Sequence, residues 1–307
     1  MIEIKNAAKY FGRLRAIDNI SCAIKGGSVF GIVGSNGAGK STLLRMISGV
    51  YSPDEGQVSL DGKIICNSPV ELKNFVFLPD TPVADFKTTL KSTAAEYAAY
   101  YEGFDWAEYK ALLGIFKLDP SQALSSFSKG MLRQAMIIIA LSCPAKYIIL
   151  DETLDGLDPA IRTLVKKKIY GKVISSNAAV IISSHSLREL EDFCDSLILL
   201  HEGKLIYNQS MEDAEASLCK VQVAFKEPKD DALNKTLTIV KRSKSGSVSN
   251  LIVKGSQADV LEAIKKLNPI LLDVIPMSIE EIFTYELEKR GYGIDIIDEN
   301  ILNTEDK

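Results

Sequence analysis

The sequence predicts an α/β fold with a parallel sheet, a helical insert and a small α+β appendix. A predicted strand at Ser28–Gly34 ends in a glycine-rich turn, and a helix is predicted directly after it at Thr42–Ser48. From Tyr147 onward, apolar runs alternate with helical stretches, and such alternation is typical of a parallel sheet covered on both faces. Between Lys87 and Cys143, alanine, tyrosine and leucine recur at helical spacing, which indicates the insert.

The later elements follow from the same patterns. The predicted strands after the insert are Tyr147–Leu150, Ala179–Ser183 and Ser196–Leu200, and the predicted helices are Ala160–Val173 and Leu187–Phe193. Beyond residue 215 the predicted strands are Val221–Phe225, Thr236–Val240, Leu251–Val253 and Ile270–Ile275, and the predicted helices are Ala258–Leu267 and Ser278–Gly291. Ser278 and Glu281 have the spacing of a capping box. We therefore expect one domain at residues 1–215, with its insert at about 87–143, and a second at 216–307 that ends in a loose tail.

Composition narrows the function classes. The 307 residues carry a formal net charge of -4, which provides no basic field for phosphate backbones, so nucleic acid is not expected as a partner. Five cysteines form no C-x-x-C pair, a pattern typical of a reducing cytosol. The apolar runs are far shorter than the ~20 residues that span a bilayer. If the protein serves a membrane process, we expect another polypeptide to cross the membrane.

A phosphate-binding loop is predicted at residues 34–41. Its letters, GSNGAGKS, match G-x-x-x-x-G-K-[ST] and stand between a predicted strand and a predicted helix, as the motif requires. Glycines let the backbone turn its N–H groups inward, where they and the helix N-terminus hold phosphate oxygens. Lys40 is expected to reach the β- and γ-phosphates, and the Ser41 hydroxyl to ligate Mg²⁺. The predicted nucleotide-binding residues of this segment are Gly34, Asn36, Gly37, Ala38, Gly39, Lys40, Ser41 and Thr42.

Two carboxylates follow the predicted strand Tyr147–Leu150. Residues at the carboxyl end of such a strand face the ligand crevice of a parallel sheet. Asp151 is expected to hold Mg²⁺, and Glu152 to polarise the attacking water as a general base. An apolar run that ends in a solvated acidic turn is the alternative interpretation. The phosphate loop earlier in the chain favours the catalytic one.

Together with four further stretches, these motifs resemble those of the ABC ATPases. Residues 126–131 (SFSKGM) resemble the family's LSGGQ signature, which completes the ATP site of the partner subunit; Ser128 and Gly130 match, and Met131 takes the last position. Without the neighbouring motifs, a serine cap on a helix would be the favoured interpretation of Ser128. The S-K-G-M form is similar to exporters with ABC-2-type membrane partners. A further resemblance is to the D-loop, which in the family lies across the dimer interface; the matching residues are Asp155, Gly156, Leu157 and Asp158.

Three single residues complete the resemblance. His185 resembles the switch histidine that contacts the γ-phosphate. Phe11 resembles the aromatic residue that stacks on adenine, with Tyr10 as the second candidate. Asp80 stands where the family normally has glutamine, a residue that touches Mg²⁺ and the water, and a shorter aspartate can still bind metal.

The resemblance covers about residues 1–215. It implies a P-loop NTPase core of the ABC type, ATP and Mg²⁺ as ligands, and catalysis by Lys40, Glu152 and His185. It also implies a second ABC ATPase subunit, identical or not, and transmembrane permease subunits that hold the protein at the cytoplasmic face of the membrane. Export of a peptide, toxin or antimicrobial is the expected function. A soluble ABC ATPase outside transport and a catalytically silent regulatory subunit remain alternatives.

Overall fold

A computed structural model describes residues 1–66, 68–81, 88–210, 218–227, 229–278, 281–283 and 285. Over its described residues the chain folds as two units, one formed by residues 1–208 and the other by residues 209–285. Each unit is described separately.

The central sheet of the first unit is largely parallel. Its strands in spatial order are β10 (Lys204–Ser210), β9 (Ser196–His201), β3 (Val29–Val33), β8 (Ala179–Ser184), β7 (Tyr147–Leu150) and β6 (Phe75–Leu78). From β9 to β6 each neighbouring pair is parallel, as the sequence predicts. Strands β3, β7 and β8 are buried along their whole length, so they appear in the sequence as continuous apolar runs. Their carboxyl ends carry the predicted site residues.

An antiparallel sheet that the sequence analysis did not predict lies in the same unit. Its order is β2 (Leu14–Ile24), β1 (Ile2–Phe11), β4 (Glu55–Leu60) and β5 (Lys63–Ile64). The pairing of β1 with β2 has register shifts, and Asn6 in β1 has a φ of 47°. These irregularities interrupt the alternation of buried and exposed residues on which strand prediction depends.

Helices of the first unit begin with α1 (Lys40–Ile47), which follows the glycine-rich turn. The others are α2 (Pro69–Leu72), α3 (Leu90–Tyr100), α4 (Trp106–Phe116), α5 (Lys129–Ser142), α6 (Pro159–Ser176) and α7 (Leu187–Glu191). The predicted insert is helical over its described residues, with α3, α4, a 3₁₀ turn at Leu124–Ser126 and α5. The predicted helix at 187–193 ends two residues early, at Glu191.

The core that positions the phosphate loop lies between the two sheets. Helix α1 buries Leu43, Leu44, Met46 and Ile47 in a cluster that also contains side chains from β1, β2, β3 and β9. Burying each such side chain stabilises the fold by roughly 1.5–3 kcal/mol. The helix N-terminus is therefore held rigidly at the end of β3.

The second unit forms an antiparallel sheet with helices between its strands. The elements in chain order are β11 (Leu218–Ala224), α8 (Asp230–Thr236), β12 (Ile239–Ser245), β13 (Val248–Lys254), α9 (Gln257–Lys265) and β14 (Leu271–Ile275). The sheet order β12-β13-β11-β14 gives a split β-α-β arrangement. The predicted strand Thr236–Val240 is wrong at its start, because Thr236 ends α8 and β12 begins at Ile239.

The capping box predicted at Ser278 is present. The backbone N–H of Glu281 donates to Ser278 Oγ at 3.3 Å, and the backbone N–H of Ser278 donates to the Glu281 carboxylate at 3.2 Å. Much of the predicted helix Ser278–Gly291 lies outside the described residues, as do Lys87 and the predicted tail.

Candidate functional site

The glycines of the phosphate loop are fixed by close packing. A Cβ at Gly34 would lie 2.5 Å from the carbonyl oxygen of Leu200, and Gly39 has a φ of 103° with no room beside the Ala16 carbonyl. Both positions require glycine for steric reasons. Gly37 has a φ of 82° with open space around it, so its requirement is conformational. The loop therefore has one well-defined backbone course into α1.

Lys40, the first residue of α1, is buried with only 4% of its surface exposed. Its Nζ donates to the carbonyl oxygens of Gly34 at 2.7 Å and Ser35 at 3.1 Å. The same atom lies 3.1 Å from Glu152 Oε1. The ammonium group thus stands between the phosphate loop and the predicted general base, where phosphate oxygens can replace these acceptors.

Asp151 meets Ser41 at the end of β7. Its Oδ1 accepts hydrogen bonds from Ser41 Oγ at 3.1 Å and Ser183 Oγ at 2.7 Å, whereas its buried Oδ2 has no hydrogen-bond partner among the described residues. Burial raises the pKa of this carboxyl, and the two hydroxyl donors oppose that effect. An unpaired carboxylate oxygen beside a serine hydroxyl suits a hard divalent cation that takes oxygen ligands. The residues present therefore fit Mg²⁺.

Glu152 adopts a left-handed backbone conformation, with a φ of 47°. Its backbone N–H donates to Ser183 Oγ at 2.9 Å, a bond that holds this strained position. One ligand-type atom from each of Glu152, Asp155 and His185 lies within 4.8 Å of the others. The structure thus brings the predicted base and the predicted switch histidine together.

His185 is held by a network of acidic and hydroxyl groups. Its Nδ1 lies 2.8 Å from Asp155 Oδ2, and this hydrogen bond raises the pKa of His185. Ser184 Oγ contacts both Asp155 Oδ1 at 3.1 Å and Glu189 Oε2 at 3.2 Å, and Arg162 lies 2.6 Å from Glu189. Burial, with a hydrogen bond to Asp155, raises the pKa of Glu189 to about 7. Burial acts to raise the pKa of Asp155. The hydrogen bonds that Asp155 makes with His185 and Glu189 outweigh burial, so the pKa of Asp155 is lowered.

A pocket of about 580 Å³ contains the phosphate loop and one aromatic ring. Phe11, whose surface is 44% exposed, lines it together with Asn36, Lys40, Ser41 and Glu152. The Tyr10 hydroxyl instead donates to Glu55 at 2.9 Å. Of the two aromatic candidates, Phe11 has the ring that lines the pocket.

The signature-like segment begins α5. Ser128 is the N-cap of this helix, and its Oγ accepts from the backbone N–H of Met131 at 3.2 Å. A Cβ added at Gly130 would meet only Ser128 Oγ, at 4.0 Å. Nothing within the described chain therefore requires glycine at position 130, although glycine costs helical stability.

The D-loop residues divide by exposure. Asp155 and Leu157 are buried within the chain, whereas Gly156 and Asp158 are exposed. Asp158 Oδ1 accepts from the backbone N–H of Ala160 and so caps α6. Among these residues, only Gly156 and Asp158 offer surface to a second subunit.

Asp80 is paired with an arginine that the sequence analysis missed. Its Oδ1 accepts a hydrogen bond from Arg133 Nη2 at 2.8 Å, and it is not among the residues that line the pocket. The Mg²⁺ role predicted for Asp80 stays a prediction.

Other residues of the candidate site that the sequence analysis missed are Ser183, Ser184 and Glu189. Two adjacent serines at the buried end of β8 are the signal that could have identified the first two, because buried hydroxyls need partners. Within the described residues, no helix combines the length and the apolar character needed to cross a bilayer.

Comparisons with known proteins agree with one another. The family model described as ABC transporter matches residues 17–155. The ATP-binding protein EcsA of Bacillus subtilis is 34% identical over 67% of this chain and 85% of its own. The ATP-binding protein YtrB of the same organism is 25% identical over 92% of this chain and 97% of its own length. The bacitracin transport ATP-binding protein BcrA of Bacillus licheniformis is 28% identical over 67% of this chain and 68% of its own length. A solved ATP-binding subunit of an ABC transporter covers 70% of this chain and 92% of its own, at 28% identity and a TM-score of 0.65.

Proposed function

The chain belongs to the ABC transporter family, and on that premise we propose that it is the ATP-hydrolysing subunit of an exporter. One observation carries the proposal: a single pocket is lined by an exposed aromatic ring, a phosphate loop and a carboxylate. These are the groups that adenine, phosphates and an attacking water require.

ATP binding rests on three sets of groups. Phe11 offers its ring face to adenine, and the N–H groups of residues 34–41 converge on the phosphates. Lys40 exchanges its contacts with the loop carbonyls and Glu152 for oxygens of the β- and γ-phosphates. This exchange frees the Glu152 carboxylate to accept a proton from water.

Hydrolysis then depends on positioning and on charge neutralisation. Glu152 accepts the proton of the attacking water, and His185 donates from Nε2 to a γ-phosphate oxygen while Asp155 holds its Nδ1–H. Ser41 and Asp151 would hold Mg²⁺, which when bound supplies positive charge to the phosphate oxygens.

A second ATPase subunit is proposed to complete each site. Ser128 is exposed and Gly130 half-buried at the start of α5, where free backbone N–H groups suit an anion. A Cβ at position 130 would meet no close neighbour in the described chain. We therefore attribute the glycine to the close approach of a partner's nucleotide. Gly156 and Asp158 provide exposed D-loop surface for the same contact.

The transport role rests on the family and its named members. BcrA is a bacitracin transport ATP-binding protein, and another relative, from Burkholderia lata, is a Nod factor export ATP-binding protein. The S-K-G-M form of the signature also supports the exporter branch. We propose that separate permease subunits cross the membrane and that this chain binds them at the cytoplasmic face of the membrane. The proposed cargo is a peptide, toxin or antimicrobial.

The test is ATP hydrolysis by the purified chain, wild type beside Glu152→Gln, with molecular mass measured in ATP and Mg²⁺. We expect the wild-type protein to hydrolyse ATP. We expect Glu152→Gln to be inactive and to form a dimer in the presence of ATP. A Glu152→Gln protein that hydrolyses ATP as fast as wild type would overturn the assignment of the base. The transport role is tested by asking whether the neighbouring gene encodes a multi-spanning membrane protein and whether that protein co-purifies with this chain.

A further inference from the structure

Arg133 joins three segments that are far apart in the sequence. It lies in the second turn of α5, close to the signature-like residues, and its Nη2 donates to Asp80 Oδ1 at 2.8 Å across 53 positions. Its Nη1 donates to the backbone carbonyl oxygen of Asp155, 22 positions away. A Cβ at Gly156 would lie 3.0 Å from that same Nη1, so the guanidinium fits closely against the D-loop.

The planar guanidinium makes these two contacts interdependent. Its nitrogens are held at fixed positions by one rigid group, so both acceptors must keep a fixed separation for both bonds to form. A lysine ammonium is a single point of charge and has no such fork. The contact between Arg133 and Asp80 is an ion pair as well as a hydrogen bond.

We propose that Arg133 is a positioning residue that couples Asp80 to the D-loop and, through Asp155, to His185. The side chain of Asp155 holds His185 Nδ1 at 2.8 Å while Arg133 holds the backbone of the same residue. A displacement of Asp80 therefore pulls on the residue that orients His185. This inference rests on the proposed ATPase function, because its consequence is a change in the rate of hydrolysis.

The chain offers a matched control pair. Arg242 lies 2.9 Å from Asp230, with side-chain exposures of 24% and 39%, against 2.8 Å, 21% and 43% for Arg133 and Asp80. Both pairs are partly exposed and of similar length, so their removal should affect stability to a similar, small extent. The pair at Arg133 contacts the predicted catalytic segment, whereas the further described partners of Arg242 and Asp230 are Asn234 and Lys244.

The experiment is a double-mutant cycle with Arg133→Ala, Asp80→Ala and the double variant, beside the same cycle on Arg242 and Asp230. We expect each single variant at the first pair to lower kcat by about tenfold with KM for ATP nearly unchanged, since misplaced catalytic groups slow chemistry to this extent or more. We expect the double variant to be no slower than the singles. Arg133→Lys should retain less than half of the wild-type kcat, and the control cycle should leave kcat unchanged.

A second readout does not depend on activity. The C2 proton resonance of His185 should move in Arg133→Ala and stay in place in Arg242→Ala. Multiplicative losses of kcat in the double variant, or an unmoved His185 resonance, would overturn the coupling. Wild-type protein without turnover would count against the ATPase function itself, whereas active wild type with a fully active Arg133→Ala would refute only this inference.

Discussion

His185 Nδ1 lies 2.8 Å from Asp155 Oδ2, so the histidine beside the proposed general base Glu152 is itself held by an acid. Asp155 stands in the segment after β7 and His185 in the segment after β8, and these strands are neighbours in the parallel sheet. The pairing therefore follows from the sheet order.

The first prediction concerns the protonation of His185. Asp155→Asn should lower the pKa of His185, because the hydrogen bond that His185 donates to the Asp155 carboxylate is the largest cause of the raised pKa. Because the pKa of His185 is raised in the folded state, its contact with Asp155 stabilises the protein fully at pH values below the ordinary histidine pKa. This contribution is lost as pH rises through the folded value. Titration of the C2 proton by NMR measures the change, and His201, the only other histidine, gives a reference resonance.

The second prediction separates folding from function at Asp151. Asp151→Asn should raise the free energy of unfolding at neutral pH, because wild type buries a carboxylate whose Oδ2 lacks a partner. Burial raises the pKa of Asp151 in the folded protein. The contribution of this carboxyl to the free energy of unfolding is therefore greatest below the ordinary aspartate pKa and is lost as pH rises through the raised pKa of the folded state. Thermal unfolding of both proteins at pH 4 and pH 7.5 should show the difference widening with pH.

Metal dependence gives the same variant a functional readout. ATP affinity of wild type should fall when EDTA removes Mg²⁺, whereas affinity of Asp151→Asn should respond much less. Equal loss of affinity in the two proteins would contradict the assignment of Asp151 as a metal ligand.

The third prediction is that Gly130→Ala stabilises the chain and weakens its activity. Alanine has room at this position and should add a few tenths to about 1 kcal/mol to the stability of α5. ATP-dependent dimerisation and turnover should both decrease, because in the proposed dimer the added methyl group would meet the partner's nucleotide. Gly114→Ala in α4 is the control, since a Cβ there also meets nothing within 4 Å. It should stabilise the protein and leave turnover intact.

The fourth prediction concerns the adenine platform. Phe11→Ala should weaken ATP binding by about tenfold, which corresponds to the loss of one stacking contact. Binding of inorganic tripolyphosphate, which has no base, should be unaffected. Tyr10→Phe removes only the hydroxyl bond to Glu55 and should bind ATP like wild type in calorimetry. A tenfold loss in Tyr10→Phe with none in Phe11→Ala would reverse the two assignments.

The sequence predicts well those parts of the fold that depend on local pattern. Strand β7 has the predicted bounds Tyr147–Leu150 because four consecutive buried side chains leave no ambiguity. Helix α8 was missed because its seven residues, DDALNKT, bury only Leu233 and so show no apolar periodicity. Strand β12 was placed too early because its later residues, KRSKS, are charged or small and lie at a sheet edge.

In the candidate site too, the residues predicted from the sequence are those that belong to a local pattern. Lys40, Ser41, Asp151 and Glu152 were predicted because each belongs to a contiguous motif whose chemistry is known. Arg133 was not, because its partners lie 53 and 22 positions away and nothing in its neighbours specifies them. Contacts of this kind are set by how the insert packs on the sheet, which a local pattern does not encode.

The order of the central sheet also implies a gradient of local opening. Strand β3, which leads into the phosphate loop, has neighbours on both sides, whereas the four-residue β6, which leads to Asp80, is an edge strand of the described sheet. Amide protons of β3 should therefore exchange with solvent only on global unfolding, and those of β6 through smaller fluctuations. The segment that ends in Asp80 can then detach and re-form while the phosphate loop stays intact.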